Sequence, residues 1–210
     1  NPYELRKATK NVGAKLILDV TQAAGAMPID TDSYGADVLV CSGYKWLGGH
    51  GGVGLAAISS EVLKEDPVMA GWMGASNPFD MQPKKLLYAE DARKFTQSTM
   101  SYISIKGLET AIKEIINLNI TSINNHAQKL ATLLSDGIRE TKWQPYRSIK
   151  DKSASSHIIS LTCQSVEITQ TLEKLKKTNI VCGIRNSRLR ISIAHFNNEA
   201  DIQSLVKALF

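Results

Sequence analysis

Lys45 is the residue around which a chemical reading of this sequence begins. The stretch from Ala36 to Gly54 runs ADVLVCSGYKWLGGHGGVG: the apolar run Val38 to Val40 gives way to Ser42, Tyr44 and Lys45, then to Gly48, Gly49, Gly51, Gly52 and Gly54. That order describes a buried strand whose carboxyl end delivers an amine, followed by glycines that let backbone approach a ligand closely. Lysine is rarely buried without a task, and its amine can form a Schiff base with an aldehyde. Upstream, the apolar run Lys15 to Val20 carries Asp19 near its carboxyl end, with Gln22 three residues on. An acid ending one strand and a lysine just past the next is the layout of an open α/β sheet, in which ligands lie outside the carboxyl ends.

The elements that must position these residues alternate helix and strand. Tyr3 to Asn11 reads as a helix, Lys15 to Val20 as a strand buried on both faces, Gln22 to Gly25 as a short helix or turn, then Val38 to Cys41 and Val53 to Ile58 as strands. Glu61 to Lys64 reads as one helical turn and Gly71 to Ala75 as a loop, whose Trp72 and Met73 are minor candidates for lining a substrate channel. A long helical region spans about Ile103 to Glu140, with a bend or join near Thr121. Trp143 to Ser155 reads as a polar connector. His157 to Cys163, Ile180 to Ile184 and Leu189 to Ile193 read as strands, Val166 to Thr178 as a helix capped by Ser165, and Glu199 to Phe210 as a helix capped by Asn197 or Asn198. The short link Arg185 to Arg188 suits a hairpin turn.

The 210 residues, 43% of them hydrophobic, suffice for one large domain or two small ones. The net charge of +5 is spread without a run of like charges, which gives no ground for a nucleic-acid partner. Cys41, Cys163 and Cys182 are widely spaced, arguing against a disulfide framework or a zinc site and for a reduced, cytoplasmic setting. No apolar stretch approaches a membrane span, and the amino end lacks a signal-peptide pattern. The opening on Asn1, directly before a helix, reads as the start of a fragment. GGHGGVG follows neither nucleotide-binding fingerprint.

Asp19 and Gln22 on one strand end, with Ser42, Gly43, Tyr44 and Lys45 on the next, resemble the D-x-x-Q and S-G-[HY]-K motifs of the class V aminotransferase and cysteine desulfurase family of fold-type I pyridoxal phosphate enzymes. A third family element, R-F-E-x-G-T, has an altered counterpart in Lys94, Phe95, Thr96, Gln97, Ser98 and Thr99. The resemblance covers nearly the whole chain. It implies an α/β fold: residues 1–100 as the carboxyl-terminal part of the cofactor-binding large domain, with a partial mixed or parallel sheet, and 101–210 as a linking helix and small α+β domain.

By the same resemblance Lys45 forms the Schiff base with pyridoxal 5'-phosphate, and Asp19 holds the pyridine nitrogen protonated so that the ring draws electrons from the substrate's α-carbon. Gln22 donates to the cofactor's phenolic oxygen, and Ser42 and Tyr44 bind its phosphate. Thr99 reaches the phosphate of the neighbouring subunit, which implies a homodimer with shared sites. Arg190 pairs with the α-carboxylate of an amino-acid substrate, a task suited to a planar bidentate donor. Alternation places Arg188 on the same face, so the sequence alone does not separate the two. His195 reads as structural.

Tyr44 in place of histidine resembles the aminotransferase, epimerase and kynureninase branches, and desulfurases carry a nucleophilic cysteine on a loop where this chain has only the turn Arg185 to Arg188. Cys182, in an apolar strand, reads as an inert thiol. The family's upstream phosphate loop and stacking aromatic are not in these 210 residues. The reading is therefore an aminotransferase-like enzyme fragment. A cysteine desulfurase, selenocysteine lyase or epimerase is the alternative within the family, and a non-catalytic interaction module of the same fold the alternative outside it.

Overall fold

A computed structural model describes residues 1–81, 84–151, 153–164 and 168–210, and divides them into two compact units, Asn1–Asn117 and Leu118–Phe210. The expected cap Ser165 and the first expected helical residue Val166 lie outside the described residues.

In the first unit, α1 (Pro2–Asn11) is started by Asn1, whose side chain accepts the Tyr3 N–H, with proline in the first turn where no N–H is needed. Strands β1 (Ile17–Asp19), β2 (Val38–Ser42) and β3 (Gly54–Ile58) form a mixed sheet in that order, β1 parallel and β3 antiparallel to β2. The short helix α2 (Thr31–Tyr34), which the sequence reading passed over, lies between β1 and β2. Asp30 caps it and Gly35 closes it in the left-handed conformation. Asp37, one residue before β2, fastens this region: its buried carboxylate accepts the Leu16 N–H at 2.7 Å and pairs with Arg6 at 2.8 Å. The Leu16 N–H above all, with the Arg6 and Lys15 charges beside it, holds the Asp37 carboxyl below the usual range.

Burial on both faces, expected for the first strand, is not observed. Ile17 is 63% exposed and every residue of β3 except Ile58 is exposed; only β2, the central strand, buries alternate residues, Leu39 and Cys41. A strand flanked by one neighbour in a three-stranded sheet has nothing in this unit to cover its second face. Beyond β3 come α3 (Ser60–Leu63), capped by Ser59, three 3-10 turns at Trp72–Gly74, Pro78–Asp80 and Ala92–Phe95, and the long helix α4 (Tyr102–Leu118).

The helical region breaks at Asn119, whose φ of +66° leaves the helical range and whose side chain caps α5 (Ile120–Gly137) through the Thr121 and Ser122 N–H groups. The second unit is a four-stranded antiparallel sheet packed on helices. Its strands β4 (Gln144–Pro145), β5 (Ile158–Thr162), β6 (Gly183–Arg185) and β7 (Arg188–Ser192) lie in the order β4-β5-β7-β6. Helices α6 (Ile168–Lys177) and α7 (Glu199–Leu209) join α5 in enclosing a core that contains Leu130, Leu134, Ile138, Leu161, Leu175 and Leu189.

Two expectations are corrected here. Trp143 is 3% exposed and belongs to that core, and Gln144 and Pro145 pair with Thr162 and Leu161, so the start of the supposed connector is structural. The strand expected from Ile180 begins only at Gly183. Asn179 turns left-handed at φ +61° and the Ile180 N–H closes the end of α6 on the Leu175 carbonyl at 2.9 Å, so this backbone is engaged by the helix terminus. Of the two expected caps for the last helix, Asn198 serves, in a reciprocal capping box with Asp201.

Candidate functional site

Because β1 and β2 are parallel and paired Asp19 to Val40, their carboxyl ends open on the same edge of the sheet, Asp19 on one and Ser42 on the other. Thr21 joins them. Its N–H donates to Asp19 Oδ1 at 2.8 Å, and its buried hydroxyl oxygen accepts the Ser42 N–H at 3.0 Å. The Thr21 hydroxyl, then its N–H, holds the Asp19 carboxyl below the ordinary range, and the positive charge of Lys45 acts in the same direction. Asp19 is therefore an ionised acid, fixed in orientation, within the field of the lysine amine. The neighbouring Cys41 thiol is pushed up by burial first and by the Asp19 charge second.

The segments carrying Gln22 and Lys45 are locked face to face. Trp46 Nε1 donates to Gln22 Oε1 at 3.1 Å. Gly25, at φ +90°, lies so close that a Cβ there would meet the Trp46 carbonyl oxygen at 2.4 Å. Lys45 stands in a turn closed by the Gly48 N–H on its own carbonyl at 2.9 Å, with its ammonium 5.7 Å from the Tyr44 ring centroid, and both side chains are exposed.

Three glycines on either side of Lys45 let other parts of the chain come close. Gly43 and Gly49 seat the lysine turn on α4, where an added Cβ would stand 3.1 Å and 2.8 Å from Leu108, and Gly54 passes the Cys41 carbonyl. Leu108 is 3% exposed and shares a small core with Cys41 and Leu47. The helix thus supports the lysine loop through the space the glycines vacate.

Thr99 is exposed, and among the described residues it shares no hydrogen bond with Asp19, Ser42 or Lys45. Its segment is anchored nearby: buried Lys94 donates to the Leu63 carbonyl at the end of α3 at 2.8 Å and lies near the Tyr88 and Phe95 rings, while Arg93 reaches the Ala75 carbonyl at 2.9 Å. Gly71 and Gly74 leave room for the Gln97 and Lys94 carbonyls. Trp72 packs edge-on against Phe79, with centroids 6.3 Å apart, and lines an open cavity of about 370 Å³ with Asn77, Met81 and Leu87. Arg190 belongs to the second unit, half-buried on the face of β7 opposite the core-facing Leu189 and Ile191. His195 meets Phe196 edge-on.

Thr21, Gly25 and Leu108 were not among the candidates from sequence. Thr21 carried a readable signal, since an aspartate whose side chain takes the N–H two residues on is a standard turn device. Its second bond, to Ser42, depends on strand pairing and has no local signature.

The fold is that of fold-type I pyridoxal phosphate enzymes. It matches a cysteine desulfurase from Thermococcus onnurineus NA1 in its apo form with a TM-score of 0.83 at 20% identity, over 99% of this chain and 54% of that one. The aminotransferase class-V family model matches residues 2–205, and the chain belongs to that family. An uncharacterized aminotransferase of Bacillus subtilis is 22% identical over 205 residues, covering 96% of this chain and 52% of the relative. A probable cysteine desulfurase of Pyrococcus abyssi is 30% identical over 155 residues, 72% of this chain and 37% of the relative. The chain thus spans about half the length, or less, of these relatives.

Pyridoxal phosphate is the cofactor of this family, and the donor set fits it. A protonated pyridine nitrogen calls for an acid that stays ionised, which the Thr21 bonds ensure at Asp19, and the aldehyde calls for an amine, which Lys45 supplies. No helix among the described residues is long and apolar enough to cross a membrane.

Proposed function

We propose that this chain supplies the lysine and the ring-nitrogen acid of a pyridoxal phosphate-dependent enzyme that acts on an amino acid by amino-group transfer. The observation that carries the reading is the bonded run Asp19–Thr21–Ser42 across two parallel strand ends, with the Lys45 charge acting on the same carboxylate. When bound, pyridoxal phosphate supplies an electron-accepting ring that stabilises negative charge at the amino acid's α-carbon. Lys45 tethers the cofactor and moves the proton at that carbon. Asp19 pairs with the protonated ring nitrogen, and Gln22, Ser42 and Tyr44 contribute polar groups to the ring oxygen and phosphate. Thr99 serves the phosphate of a second copy in a homodimer, and Arg190 takes the substrate's α-carboxylate.

Amino-group transfer is favoured over persulfide chemistry by Cys182, the cysteine nearest the β6–β7 hairpin: burial pushes its thiol up to about 11, far from a reactive thiolate at neutral pH. The hairpin itself has a two-residue turn, Asn186 and Ser187, with no extended loop to carry a nucleophile.

The test is absorbance titration of the intact gene product with pyridoxal phosphate, followed by a panel of amino acids and keto acids. A visible band that bleaches with an amino acid and returns with a keto acid is expected. Lys45→Ala should abolish the band while circular dichroism stays unchanged. A band of wild-type intensity in that variant would overturn the assignment.

A further inference from the structure

Three arginines lie on one face of the second unit's sheet. On β7, Arg188 and Arg190 alternate with Leu189 and Ile191, which are 0% and 4% exposed, so both arginines lie on the face turned from the core. Across the hairpin Arg185 is the register partner of Arg188 and shares that face. Directly opposed like charges weaken a strand pair, yet none of the ion pairs among the described residues involves Arg185 or Arg188. The opposition is also enforced: the two-residue turn holds Asn186 and Ser187 at φ +49° and +55°, a left-handed conformation serine rarely adopts, and so sets Arg185 against Arg188.

Arg188 is in addition held flat. Its guanidinium carbon stands 3.4 Å from the centroid of the Tyr146 ring, and the Tyr146 N–H is bonded to the Ser160 carbonyl at 2.8 Å, so the ring is carried by the sheet itself. A stacked guanidinium keeps its in-plane N–H edge for a planar acid. Ser160, the register partner of Arg190, ties the two arginines to one stretch of β5. Residues two apart on a strand have Cα atoms about 7 Å apart, a separation that suits two carboxylates on one short chain.

We propose that this face recognises a ligand with two acidic groups, a dicarboxylic amino acid or its keto acid. Arg190 takes one carboxylate and Arg188 the other, with Arg185 adding charge. The proposal rests on the reading of Arg190 given under the proposed function and extends it to the substrate class. Like charges that repel one another become an asset when a second carboxylate lies between them.

The test is calorimetric binding of glutarate and of butyrate to the full chain without cofactor, at fixed ionic strength. Wild type should bind glutarate roughly tenfold more tightly than butyrate. Arg188→Met, which keeps the stem and removes the fork, should bring glutarate to the butyrate level and leave butyrate unchanged, with its thermal midpoint recorded as the folding control. Arg188→Lys should recover part of the preference. A merely structural role would move both affinities together. Equal affinities in wild type, no glutarate binding at millimolar concentration, or an undiminished preference in Arg188→Met would overturn the proposal. Lys45→Ala should keep the preference, so failure of the cofactor reading and failure of this one are separate results.

Discussion

Thr21 ties the acid of the candidate site to the neighbouring strand, and it does so with one hydroxyl. That hydroxyl accepts from the Ser42 N–H, and its bond to Asp19 is the largest influence keeping that carboxyl ionised. An acid whose folded value is depressed contributes stability above its unfolded value and loses that contribution as pH falls through the folded one. Thr21→Val keeps the shape and removes the hydroxyl. It should raise the Asp19 value toward the ordinary carboxylate range near 4, so that the pH-dependent contribution shrinks and its loss on acidification is complete at a higher pH, as read by NMR titration of the Asp19 carboxyl carbon. An unchanged titration would mean that the Thr21 N–H and Lys45 suffice without the hydroxyl. That Asp19 and Ser42 close two neighbouring strands was legible from the apolar runs before them. Thr21 was not, because its partner lies 21 residues away and is brought near only by the pairing of β1 with β2.

Among the elements, two turns do the positioning, the one after β1 and the one after β2, pressed together at Gly25 and Trp46. Gly25→Ala would force a side chain into the left-handed region and against a backbone oxygen that cannot swing away. A loss of roughly 2–4 kcal/mol in denaturant unfolding is expected, and one below about 0.5 kcal/mol would show that the turns separate easily. Elements with a local signal were readable: α1 as a helix over Tyr3 to Asn11, β2 from its apolar run, the β6–β7 hairpin from Asn186 and Ser187. Where neighbouring backbone decides, the sequence reading missed. Trp143 looked like part of a polar connector because its apolar partners come from distant elements, and the strand after α6 starts three residues late because the helix terminus claims the Ile180 N–H. Gly49 signalled that something comes close but not what, and that neighbour, Leu108, lies some 60 residues on in α4.

At the scale of the whole molecule the family and the mixed α/β architecture were readable because two motifs fall in register on successive strand ends. The exposure of β1 and β3 was not, since a run such as Ile17 and Leu18 signals burial whether or not the chain supplies the cover. The first unit also exposes Val68, Met69, Phe79, Met81 and Ile103. The account depends most on one amine. The intact gene product, incubated with pyridoxal phosphate, reduced with borohydride and digested, should yield a single pyridoxyl-labelled peptide containing Lys45, with Asp19→Asn lowering the extent of labelling. Label distributed over other surface lysines, or a Lys45 peptide recovered unmodified, would contradict it.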